Sequence, residues 1–153
     1  MTIEAGIPLG FFYALAYNGA QFGIDTFKIA LYTEEASLTR QTTDITTQED
    51  YEATGSGYTA GGKTITTNVA FNLNDEGEYN NREFISIHFG TATWTNLTTS
   101  FRYAAVYRTS DDLPIAFVDF GETQNPSNQT VSIVWPTPSP QLNASIVIRT
   151  KPI

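Results

Sequence analysis

Cysteine is missing from this 153-residue chain. Disulfides, zinc thiolate sites and cysteine nucleophiles are therefore excluded at the outset. Histidine occurs once, at His88, which rules out a multi-histidine metal site and makes a Ser-His-Asp triad hard to assemble. Basic residues are scarce: 8 Lys and Arg stand against 16 Asp and Glu, a formal charge of −8. A surface of that sign repels phosphate backbones and anionic lipid, so neither nucleic acid nor a membrane is expected as a partner. No apolar run approaches the roughly 20 residues of a membrane-spanning helix. The start, MTIEAGIPLGFFYALAYNGA, has no Lys or Arg ahead of its apolar stretch, carries Glu4, and is broken by Gly6, Pro8 and Gly10. It does not fit the pattern of a secretory leader. The sequons at Asn96, Asn128 and Asn143 carry no weight without secretion.

Apolar side chains are plentiful. They make up 41% of the chain, with 10 Phe, 8 Tyr and 2 Trp, enough for the core of one domain. A single helical pattern, GFFYALAYNG, sets Phe11, Phe12 and Leu15 on one face, with Gly19 as its stop. Such a short helix needs a packing partner. From residue 27 onward the period is two. FKIALYT sets Phe27, Ile29 and Leu31 against Lys28, Ala30 and Tyr32. KTITTNVAF, FISIHF, FRYAAVYR, IAFVDFG, TVSIVWP and LNASIVIRT follow, rich in β-branched and aromatic residues and separated by turn signals. The segment 34–57 is polar and acidic, and reads as a loop longer than a compact domain usually carries without a role. The expected fold is all-β: an antiparallel β-sandwich of about seven or eight strands with one short N-terminal helix. The expected organisation is an N-terminal segment at 1–26, a sandwich domain at 27–136 and a C-terminal strand at 137–153. The PTPSP connector before that strand fits either an arm that pairs with a neighbouring subunit or an ordinary loop before an edge strand.

The motifs that suggest chemistry each have a plainer reading. His88 lies inside an alternating strand and has no evident nucleophile or orienting group. Asp111-Asp112 resembles a carboxylate pair, yet SDDLP is also ordinary turn chemistry. GYTAGGK lacks phosphate-loop spacing and leads into a strand, so Gly57, Gly61 and Gly62 read as a tight turn that needs positive φ. Trp94 is placed at a strand end or corner. Trp94, Tyr103, Tyr107 and Trp135 are candidate sugar-stacking platforms, set against core packing as the commoner use of strand aromatics. NLNDEGEYNNRE, residues 72–83, approaches the spacing of an EF-hand loop. It starts with Asn72 rather than Asp, however, and its flanks are strands, so it reads as an acidic hairpin loop with weak calcium binding as the alternative. No catalytic residue, cofactor or metal ligand is assigned.

Taken in order, FKIALYT, GSGYTAGGKTITT, TATWTN with FRYAAVYR, IAFVDFG and QTVSIVWP resemble a family of small β-rich structural proteins of tailed bacteriophages, head decoration or cement proteins among them. The resemblance spans residues 27–135, and GYTAGGKT and the Trp94-Thr95-Asn96 stretch are its most specific parts. It implies a virion component that is not an enzyme. Such a protein would be assembled in the host bacterial cytoplasm and carried on the capsid surface. Its partners would be the major capsid protein and copies of itself, with a trimer as the first expectation. Tail, neck or fibre placement is the alternative within the family, and a carbohydrate-binding adsorption module is the alternative outside it. Phe11, Phe12, Tyr13, Leu15, Ile146 and Ile148, in the two terminal stretches outside the resemblance, are the expected interface residues.

Overall fold

A computed structural model of the chain describes residues 4–9, 11, 19–72, 84–135 and 146–149. Ten strands are present among them: β1 (Glu4–Gly6), β2 (Phe27–Tyr32), β3 (Lys63–Ile65), β4 (Thr67–Asn72), β5 (Phe84–Phe89), β6 (Ala92–Leu97), β7 (Phe101–Arg108), β8 (Leu113–Gln124), β9 (Gln129–Ile133) and β10 (Ile146–Arg149). All the strand pairs are antiparallel. They form a five-stranded sheet in the order β1-β8-β7-β2-β3, a three-stranded sheet β10-β5-β4 and a two-stranded ribbon β6-β9. Two of these strands fell outside the expected runs. β1 pairs with β8 through Glu4, Ala5 and Gly6. TATWTN, with Trp94 expected at a strand end or corner, is the body of β6, and Trp94 lies inside that strand. The KTITTNVAF run is divided at Thr66 into β3, which joins the first sheet, and β4, which joins the second.

The largest buried cluster draws on all three sheets. It takes Phe27, Ile29 and Leu31 from β2, Ala104 and Val106 from β7, Ile87 and Phe89 from β5, and Trp94 and Leu97 from β6. Pro114 stands inside the sheet in β8, where a missing N–H would normally break the ladder. Here the register slips between Val106 and Tyr107, which pair with Ala116 and Pro114. The resulting bulge leaves one residue of β8 unmatched and tolerates the proline.

The alternation in FKIALYT places Lys28, Ala30 and Tyr32 on a face that could have been open to water. The structure closes that face. Ala30 and Tyr32 join Ala105 and Tyr107 of β7 in a second buried cluster, and its cover is the polar segment 33–57, through Ala36, Leu38 and Ile45. That segment contains a 3-10 helix, Ile45–Tyr51, capped by Asp44, which accepts from the Thr46 N–H at 2.8 Å. Backbone bonds seat the cover, Ala53 N–H donating to Leu31 O at 2.8 Å and Ile45 N–H to Asp112 O at 3.0 Å, while Thr33 N–H closes the segment on Tyr51 O at 2.9 Å. The long acidic loop therefore has a structural role that its composition concealed, because three apolar residues spread over ten positions show no period.

The N-terminal helix expected over residues 11–19 lies largely outside the described residues. Phe11 is described, and it belongs to the main core at 1% exposure. Its ring lies 5.9 Å from Phe22, which stacks on Phe27 at 5.1 Å. Pro8 is also fully buried.

Candidate functional site

The GYTAGG stretch builds a corner between the cover segment and β3. Gly57, Gly61 and Gly62 have φ of +78°, +80° and +70°, the left-handed region that glycine enters at low cost. At Gly62 the need is double, because a Cβ there would lie 2.0 Å from Ile29 O. One carboxylate organises the corner. Glu52 Oε1 accepts from the Tyr58 hydroxyl at 2.6 Å and from Gly61 N–H at 2.7 Å. Tyr58 Oη in turn accepts from Leu31 N–H at 3.0 Å, and the Tyr107 hydroxyl donates to Gly61 O at 2.8 Å. Burial pushes the Tyr107 phenol up to about 12, with Glu52 adding to the effect. Burial raises Tyr32 and Tyr58 further. These phenols stay protonated, and those of Tyr58 and Tyr107 act as hydrogen-bonding struts. Periodicity gave no sign of Glu52, since its partners are set only once the segment folds back on the sheet.

Of the two carboxylates singled out in the sequence, Asp111 serves as a clamp. Asp111 takes two bonds from Arg108, Nε to Oδ1 at 2.9 Å and Nη2 to Oδ2 at 2.6 Å, and Arg108 Nη1 reaches Asp25 Oδ2 at 3.2 Å. Arg108 is 5% exposed, so its charge is matched in a largely dry setting. Asp112 occupies the turn at φ +53°. Across β7 and β8, Arg102 and Asp119 form a second two-bond pair at 2.9 and 3.1 Å. That pairing holds the Asp119 carboxyl below its ordinary range. The two Asp111-Asp112 side chains thus divide between an ion pair and a turn, and no shared cation site results.

His88 is buried in β5 opposite Asn68, and burial lowers its pKa. Of the four aromatic platform candidates, Trp94, Tyr107 and Trp135 are buried at 1%, 8% and 7% exposure. Trp94 packs against Tyr58 with ring centroids 6.2 Å apart, and Trp135 meets Phe89 edge-on at 5.2 Å. Tyr103 is partly covered beside the second cluster. The stacking-platform reading is corrected for Trp94, Tyr107 and Trp135, whose rings are core. Lys63 Nζ donates to Thr93 O beside Trp94, 6.0 Å from its ring centroid.

The interface candidates separate. Phe11 is spent in the core and is not free to meet a partner. Phe12, Tyr13 and Leu15 lie outside the described residues. Ile146 and Ile148 sit in β10, whose backbone pairs with β5 at Ile87 and Ile85. The calcium-loop stretch lies outside the described residues beyond Asn72. Among the described residues no group of three or more His, Asp or Glu is placed to hold a metal ion, and no helix is long and apolar enough to cross a membrane.

One surface feature had no signal in the sequence. A cleft of about 500 Å³ is lined by Thr33, Thr54, Thr98, Ser100, Asn125 and Pro126. A second depression of about 290 Å³ shares Asn125 and Pro126 and adds Phe101, Gln129 and Val131. Thr98 bridges to Ser56, which ties the cleft wall to the cover segment. Comparison of the chain with protein-family models, curated proteins and solved structures found no match.

Proposed function

We propose that this chain is a structural protein of a tailed-phage virion. It decorates the capsid exterior and stabilises the shell by binding across capsomer junctions, with the major capsid protein and further copies of itself as partners. Its strands form a β-sandwich, a reading supported by the single buried cluster drawn from all three sheets. The observation that carries the functional reading is the set of sheet edges. Among the described residues, β6 and β9 have only each other as ladder partners, and β4 and β10 end their sheet. Strand edges of this kind are recruited when a neighbouring chain adds a strand. The formal charge of −8 keeps such a protein soluble before assembly and suits a partner surface of opposite sign. The ionisable side chains described above are used within the fold, as clamps and struts, which favours a structural role over a catalytic one.

The test is composition and rescue. In purified particles that carry this chain, quantitative protein staining should give a copy number comparable with that of the major shell protein. Purified chain added to particles stripped of it should co-sediment with them and raise the temperature at which DNA is released. A copy number far below that of the shell would favour the tail, neck or fibre alternative. Absence from the particle would overturn the virion reading altogether.

A further inference from the structure

We propose that the cleft between residues 98–100 and 125–126 binds a neutral saccharide. This site is independent of the virion reading and of the buried aromatics. In a chain of formal charge −8, no ionisable side chain lines this cleft. Its walls carry hydroxyl and amide groups, so the ligand that fits is polar and uncharged.

Asn125 Nδ2–H donates to Thr123 O at 3.3 Å, which sets the amide with Oδ1 toward Ser100. The Ser100 hydroxyl donates to that Oδ1 at 2.6 Å, and its lone pairs remain to accept. Thr98 shows the reverse. Its Oγ1 accepts from Asn128 N–H at 2.8 Å, and its own O–H remains to donate. The cleft thus offers both an acceptor and a donor, which suits the several hydroxyls of a sugar, each able to give and take a hydrogen bond.

Thr99 Oγ1 donates to Thr54 O at 2.7 Å, and Thr98 N–H donates to Ser56 O at 2.9 Å. Both tie the wall to the cover segment, and Pro126 stiffens the opposite side. A wall held in place loses little entropy when a ligand arrives. The adjoining depression adds the partly exposed Val131, an apolar edge for the C–H face of a ring. A volume of about 500 Å³ suits one or two sugar rings, and the second depression lets an oligosaccharide continue.

The experiment is a titration of the full-length, nitrogen-15-labelled protein followed by amide chemical shifts. The probes are maltotriose, cellotriose, mannotriose and N-acetylchitotriose, with glycerol as the control. The expected result is a saturable response to at least one trisaccharide and none to glycerol, centred on the amides of 98–100 and 125. Thr98→Val and Ser100→Ala should each weaken it at least about tenfold. Thr54→Val leaves the backbone acceptor of the Thr99 tether in place. It serves as the binding variant if loss of the Thr98 hydroxyl unfolds the corner. The proposal is overturned by the absence of a saturable response to all four trisaccharides, by an equal response to glycerol, or by a response that maps elsewhere or survives the variants.

Discussion

Gly62 and Gly19 show how one residue type meets two different demands. Both have positive φ, +70° and +57°. An added Cβ at Gly19 meets nothing within 4 Å, whereas at Gly62 it meets Ile29 O at 2.0 Å. Gly19→Ala should cost only the left-handed strain, about 1 kcal/mol. Gly62→Ala adds a backbone collision inside the β2–β3 pair and should cost at least about 3 kcal/mol. Urea unfolding of the two variants checks this, and equal losses would show that the corner yields. His88 sets a second residue-scale expectation. Burial lowers its folded pKa, so the folded chain keeps it neutral while the unfolded chain takes up a proton below about pH 6.5. Its contribution is complete above that value and is lost as the pH falls toward the folded pKa. His88→Gln should flatten the fall in melting temperature that sets in below about pH 6.5 and leave the more acidic carboxylate region unchanged. A wild-type slope in the variant would refute the assignment.

Among the elements, the cover segment 33–57 depends on a few contacts. Its hold on the sheet comes from Ala36, Leu38 and Ile45, together with the Asp44 cap. Ile45→Ala removes its largest apolar anchor and should cost about 2–4 kcal/mol. Asp44→Ala leaves the first turn of the 3-10 helix without its acceptor and should cost about 0.5–2 kcal/mol. Both changes should first appear as faster amide exchange in 45–53 and on the Ala30–Tyr32 face, with the main core still protected. Uniformly faster exchange would mean that the cover and the core unfold together. The Glu52 corner links them chemically, because Glu52 comes from the cover, Tyr58 reaches β2, and Tyr107 of β7 reaches Gly61.

At the scale of the whole molecule, the N-terminal segment changes role. Read as an apolar contact surface, residues 1–19 invite a deletion that tests partner binding alone. The structure makes that deletion a test of the fold. It removes β1 from β8 and takes Phe11 and Pro8 out of the interior. Phe11→Ala alone should cost about 3–5 kcal/mol, a large part of the roughly 5–15 kcal/mol that holds a domain together. The deletion should therefore abolish or sharply lower the cooperative melt seen by circular dichroism. An unchanged melt would return Phe11 to the list of partner contacts. Surface positions test association more cleanly. Val134 is 65% exposed directly after β9, and under the proposed capsid role Val134→Glu should weaken binding to particles while the melting temperature stays within a few degrees.

The sequence by itself determined the exclusions, the strand-rich antiparallel class and the places where the chain must turn. The missing cysteines, the single histidine and the acid excess are facts of composition. A period of two needs no partner to be visible, and glycines at 57, 61 and 62 reveal a corner because few other residues adopt its angles. Tertiary structure decided what covers each face. Alternation in FKIALYT says that β2 has two sides, but it cannot say that a polar loop seals the second. Nor can it say that Trp94 and Trp135 face inward, since a ring packs equally well in a core or on a surface platform. Asp111 became a clamp only when Arg108 lay beside it. The cleft exists only because residues near 33, 54, 98 and 125 meet in space. Hydrogen bonds and burial act through short distances, and in a sheet of non-consecutive strands those distances are set by folding and not by position along the chain.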